Sequence, residues 1–167
     1  MRFSATLFVL LTTASLYTDA ETTRYRSVLI DEKGQLHILL SSGGQILPQK
    51  LYDQVTFGEP LLSQDHRTVG WLAYYPYPGA SAASVDPIPG RLVLYRSGHV
   101  LQSFPTGQIF WSWQFVNSDR DVAYCTGPTH GDAGQCNLRS IKSGRILAQW
   151  FPDAKVDPPA WAKDLRY

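Results

Sequence analysis

The sequence predicts an all-β fold of antiparallel four-stranded meanders, and three observations carry that prediction. Apolar and polar side chains alternate with period two in the best-patterned segments, as in half-buried strands. Gly and Pro punctuate the chain every ten to fifteen residues, with β-branched and aromatic residues filling the intervals. Segments of matching pattern recur in the same order along the chain.

Residues 1–20 read as a signal peptide. Arg2 gives a positive start, Ala5 to Tyr17 is an uncharged run of thirteen residues, and Thr18-Asp19-Ala20 sets small residues before a cut at Glu21. As a helix that run extends roughly 20 Å, short of a bilayer core of about 30 Å. The alternative is an uncleaved anchor. No cysteine follows the run to carry a lipid. The remaining 147 residues, 21–167, are expected to form one β-rich domain with no membrane span, located in the periplasm or secreted. A domain of that size buries about 68–70% of its unfolded surface.

Within it, a partial unit covers about 25–48, with a strand from His37 to Leu40 and the turn Gly43-Gly44-Gln45-Ile46-Leu47. A first full unit covers about 54–104. Val69, Trp71, Ala73 and Tyr75 share one face of a strand, and Leu92 to Tyr95 is a short apolar run suited to a strand covered on both sides. A second unit covers about 108–151. Ile109, Trp111, Trp113 and Phe115 are expected on one face, with Ser112 and Gln114 on the other. Ser97-Gly98-His99-Val100-Leu101 matches Ser143-Gly144-Arg145-Ile146-Leu147 forty-six residues later, and Val69-Gly70-Trp71 corresponds to Val122-Ala123-Tyr124 at an offset of fifty-three. The glycines suit hairpin turns, which need residues tolerant of positive φ. At the tail, Asp157 can cap a short C-terminal helix with Pro158 and Pro159 in its first turn, so that Trp161 and Leu165 share its buried face.

The segments Phe115-Val116-Asn117-Ser118-Asp119-Arg120-Asp121-Val122-Ala123-Tyr124 and Leu138-Arg139-Ser140-Ile141-Lys142-Ser143-Gly144-Arg145 resemble a blade of the TolB-type β-propeller repeat. There, a polar turn containing Asp precedes a short apolar strand, and a later strand ends in a turn with Gly. Arg120 stands where that family usually has Gly, and Cys136 to Leu138 replaces its aromatic-rich strand. The resemblance spans residues 54–151 in two copies. It implies blade-like sheets serving as an interaction scaffold. Closed rings take four or more blades of about forty residues, so one chain is expected to leave the ring open.

Formal net charge is +1, and 13% of residues are aromatic against 17% charged. A near-neutral surface of this kind has no electrostatic footprint for nucleic acid or anionic membrane, and neither is expected as a partner. Cys125 and Cys136, the two cysteines, flank a Gly-rich loop. In an exported chain that count favours a disulfide. The competing reading is a metal site of Cys125, His130, Asp132 and Cys136, which has zinc-ligand types but no recognised spacing; no metal or other cofactor is predicted. His130 and Asp132 also invite a catalytic pair, yet no Gly-x-Ser-x-Gly elbow or His-Glu-x-x-His motif accompanies them. His37, His66 and His99 are isolated. Asp119 and Asp121 sit in a polar turn, where Asp commonly bonds its own backbone. No catalytic residue is assigned.

The run Trp71, Tyr74, Tyr75 and Tyr77, broken by Pro76 and Pro78, is the best recognition candidate, because tyrosine combines a broad apolar face with a polar tip. Trp71 and Tyr75, like Trp111 and Trp113, are expected in the core, and Tyr74 and Tyr77 outside it. Tyr74, Tyr75, Tyr77, His130 and Asp132 are the candidate partner-binding residues. The leading expectation is a non-enzymatic module presenting loops to a protein or glycan. The alternatives are a small extracytoplasmic hydrolase or carbohydrate-active protein, and an envelope protein that self-assembles through open sheet edges.

Overall fold

The computed structural model describes residues 23–77, 86–128, 134–152 and 156–166. The proposed signal peptide lies outside them. Among the described residues, eleven strands form three antiparallel sheets, none closed into a barrel. The first holds β1 (Tyr25–Ile30), β2 (Leu36–Leu40) and the two-residue β3 (Gln45–Ile46). The second is the meander β4 (Thr56–Leu62), β5 (Thr68–Tyr75), β6 (Ile88–Arg96) and β7 (His99–Pro105). The third is the meander β8 (Ile109–Val116), β9 (Asp121–Gly127), β10 (Gln135–Ser140) and β11 (Ile146–Trp150).

Three apolar layers hold the sheets face to face. In the first, Tyr25, Leu36 and Ile38 of the first sheet meet Phe57, Val69, Trp71, Ala73, Val93 and Tyr95 of the second. In the second layer, Leu72, Leu92, Leu94 and Phe104 meet Phe110, Trp113, Val122, Tyr124 and Ile141. The period-two pattern thus does what it predicts: Val69, Trp71 and Ala73 are buried on one face with Tyr75 beside them, while Leu92 to Tyr95 splits alternately between both layers. In the third, Ala123, Cys125, Cys136, Leu138 and Trp150 are covered by Ala162 and Leu165 of the tail, with Trp161 packed alongside. The tail's helical part is a single 3-10 turn, Ala160–Ala162, and Pro159 rather than Asp157 stands at its cap. A sheet whose outer face is closed by its own tail needs no further sheet against it.

One strand departs from the expected pattern. A bulge between Phe110 and Ser112 adds a residue to β8, and an added residue reverses the facing of everything beyond it. Phe110, Trp113 and Phe115 therefore share the middle layer, while Trp111 joins the layer beneath the tail. Ile109, Trp111, Trp113 and Phe115 do not form one face. On the reversed side, the Ser112 hydroxyl donates to the Arg166 carbonyl at 2.9 Å and the Gln114 amide to the Trp161 carbonyl at 3.2 Å, which ties down the tail.

The matched segments occupy matching places. The turn glycines Gly98 (φ 84°) and Gly144 (φ 70°) both lie in the left-handed region in the last hairpin of their sheets. Just beyond each, one residue bulges out of the edge strand: Leu101 in β7 and Leu147 in β11. In the first sheet the corresponding Gly43 (φ 93°) and Gly44 (φ 79°) turn the last hairpin, between β2 and β3.

Candidate functional site

The stack has two working ends. At one, the connections leaving β5, β7 and β9 and the start of β6 gather. Two clefts adjoin there, of about 340 and 310 Å³, and share Ile88, Gly107 and Gln108. Tyr77, Ile109, Gly127 and Pro128 complete the first; Tyr75, Pro76, Gly90, Arg91, Pro105 and Thr106 complete the second.

Backbone and side-chain bonds fix this groove. The Thr106 N–H donates to the Gly90 carbonyl at 3.2 Å, joining the β7–β8 connection to β6. The Gln108 N–H donates to Thr106 Oγ1 at 3.1 Å, and Thr126 Oγ1 donates to Gln108 Oε1 at 3.3 Å. That last bond uses the amide's acceptor and leaves its NH2 as the donor at the junction of the clefts. Arg91 Nη1 donates to Ser103 Oγ at 3.1 Å. Burial pushes the Tyr75 phenol above its ordinary value; the charge and hydrogen bonding of Arg91 oppose the shift, and Asp53 adds slightly to it.

Beside the groove lies the Cys125–Cys136 disulfide. The two residues face each other across β9 and β10, with Cα atoms 4.0 Å apart and both side chains fully buried. Their pairing settles the choice between bridge and metal site. Trp111 seals the same region: a Cβ on Gly127 or Gly134 would lie 2.0 or 2.2 Å from its ring. Only glycine lets the indole lie this close.

Of the sequence candidates, Tyr75 and Tyr77 line the groove. Tyr74 does not project outward as expected. It packs against the middle layer and over Gly58, where an added Cβ would lie 2.3 Å from its ring, and burial, with a smaller effect of Glu59, raises its phenol. The alternation explains the difference, since neighbouring residues on β5 face opposite layers. His130 and Asp132 lie outside the described residues. Among the described residues, no group of three or more His, Cys, Asp and Glu side chains is placed to hold a metal ion, and no helix is long and apolar enough to cross a membrane. Arg91, Pro105 and Gln108 escaped the sequence reading because strand pairing within the second sheet brings the first two into the cleft of Tyr75, and the packing of the third sheet brings Gln108 beside Tyr77.

The opposite end carries a polar cleft of about 530 Å³, lined by Asp65, Arg96, Asp119, Arg120, Asp121 and Lys142 among others. Its carboxylates are engaged internally. Asp65 accepts from the Ser63 hydroxyl at 2.7 Å and the Arg67 N–H at 2.9 Å, and pairs with Arg96 at 3.2 Å. Burial raises the Asp65 carboxyl, but these bonds and the charges of Arg96 and Arg67 outweigh it and hold the group below its usual range. Asn117, Ser118 and Asp119 all have positive φ (54°, 54° and 60°), a strained run braced by Asn117 Nδ2 donating to Asp121 Oδ2 at 2.7 Å. This end is a staple between sheets. Compared with known proteins, the chain matches no family model and no curated protein.

Proposed function

We infer that this protein is an exported, non-enzymatic interaction module whose stacked sheets present the groove of Tyr75, Tyr77, Ile88, Arg91 and Gln108 to a partner. The observation that carries the reading is the groove itself: aromatic and proline walls with few, placed polar groups, which is the composition of recognition surfaces. An extracytoplasmic address is supported by the leader-like residues 1–20 and by the buried Cys125–Cys136 bridge, since such bridges persist in oxidising compartments. The likeness of residues 54–151 to TolB-type blades belongs to the same proposal. It is supported by the two four-stranded meanders and their matching turns and bulges.

Binding through the loop end is favoured over self-assembly through sheet edges. Every edge strand is blunted: β1, β4, β7, β8 and β11 each carry a register shift, and β3 is two residues long. Such irregularities are how sheets avoid pairing with other chains. The test is capture of partners from an envelope or secretion extract by the mature protein, compared with Tyr77→Ala and Gln108→Ala. A stoichiometric partner lost with both variants supports the reading; equal capture by all three proteins contradicts it.

A further inference from the structure

We propose that the groove takes an extended, proline-containing peptide segment carrying an acidic side chain, with Arg91 reading the acid. The proposal rests on the groove being the binding face and adds the class of ligand.

Three features point there. First, the groove is two small clefts in series rather than one deep cavity, sharing Ile88, Gly107 and Gln108 at their junction. An extended chain places successive side chains in successive clefts, while a compact ligand would fill one. Second, the walls are rings: Tyr75, Pro76 and Pro105 in one cleft, Tyr77 and Pro128 in the other. Aromatic-lined grooves favour polyproline-like segments, whose rings pack flat and whose backbone is already extended and loses little entropy on docking. The Gln108 amide stands at the junction, where its NH2 can donate to a backbone carbonyl of such a segment, which has no internal hydrogen bonds of its own. Third, among the described residues that line the clefts the one charged side chain is Arg91, a cation. Arg91 donates through Nη1 to Ser103 and also hydrogen-bonds the Tyr75 phenol, and a guanidinium with five N–H donors keeps others for a carboxylate.

A display library of random decapeptides, selected on the mature protein, tests this. Selected peptides are remeasured by fluorescence anisotropy against Arg91→Gln, Arg91→Lys and Tyr77→Ala, with an oligogalacturonate as the acidic glycan probe. The expected result is enrichment of Pro beside Asp or Glu. Affinity then falls about tenfold in Arg91→Gln and in Tyr77→Ala, and largely recovers in Arg91→Lys. Peptides that depend on Tyr77 but show no preference for acid overturn the proposal and leave the groove as a binding face. Peptides indifferent to Tyr77, or no binding of peptide and glycan alike, overturn both. Glycan binding that needs Arg91 and Tyr77, without peptide enrichment, overturns the peptide class.

Discussion

Asp119 Oδ2 accepts the backbone N–H of Asp65 at 2.7 Å, across the boundary between the second and third sheets. Asp119 is the third residue of the four-residue turn between β8 and β9. Its counterpart fifty-three residues earlier, His66, stands two residues before β5 as Asp119 stands two before β9, and also reaches back: Nδ1 donates to the Tyr25 carbonyl at 2.8 Å, while the His66 carbonyl accepts the Tyr25 N–H at 2.8 Å. Both residues have φ of 60°. Each sheet is therefore fastened to the one before it by the same turn position, with different chemistry.

Asp119→Ala is expected to destabilise the fold by about 1–2 kcal/mol, from a lost hydrogen bond to a charged acceptor and from alanine's poorer fit to the left-handed region. Asp119→Asn keeps an acceptor and tolerates that backbone, so its loss is smaller. Urea denaturation of the two variants checks the order; equal losses contradict it.

The disulfide closes a loop whose ends are eleven residues apart. The paired replacement Cys125→Ser with Cys136→Ser is expected to cost about 2–3 kcal/mol from released loop entropy, with a further contribution from burying hydroxyls where the sulfurs packed. Chemical denaturation with and without reductant measures it, and a wild-type midpoint unmoved by reduction contradicts it.

At Gly70 the second sheet packs tightly on the third: a Cβ there would lie 2.4 Å from the Trp113 ring, and 2.9 Å from Leu94 on its own sheet. Gly70→Ala is expected to cost about 1–3 kcal/mol through overpacking. Trp71→Ala, on the other face, removes a fully buried indole set edge-on to Phe57 at 5.9 Å, at about 3–5 kcal/mol. Thermal melts of both test whether two independent layers hold the middle sheet.

On the outer face of the first sheet, His37 Nε2 lies 2.9 Å from Asp31 Oδ2 and Nδ1 lies 2.9 Å from Gln45 Oε1. Both partners are acceptors, so the protonated ring satisfies both. The hydrogen bond to Gln45, then that to Asp31, raises the His37 pKa, and the Gln35 N–H together with His37 lowers that of Asp31. The His37 contribution is full below its unfolded value of about 6.5 and disappears as pH rises through the raised folded value; that of Asp31 is full above about 3.9 and disappears as pH falls through the lowered one. The pair acts together between about pH 4 and 6.5. NMR titration should show the His37 midpoint dropping in Asp31→Asn; an unchanged midpoint contradicts the pairing.

Much of this fold is legible from side-chain order alone. Val69, Trp71, Ala73 and Tyr75 alternate because a pleated strand buries every second residue, and Gly98 and Gly144 announce turns because few other residues accept their backbone. The facing of Trp111 is not legible, because the bulge that sets it is a single added residue that no residue type signals. Nor is the fate of Tyr74, which depends on the missing Cβ of Gly58 on the neighbouring strand. The groove is the least legible part: Tyr77 is readable as a surface aromatic, but Gln108 and Pro128 become its neighbours only after two sheets stack.

The central claim, that partners dock at the loop end of the stack, is tested most directly by site-specific photo-crosslinking. A benzophenone side chain is placed at Ile88 or Gln108 in the groove, or at Ser118 or Lys142 at the opposite end, and the protein is irradiated with its native extract. The account predicts a discrete adduct from the groove positions and none from the turn positions. Adducts confined to Ser118 and Lys142 would contradict it.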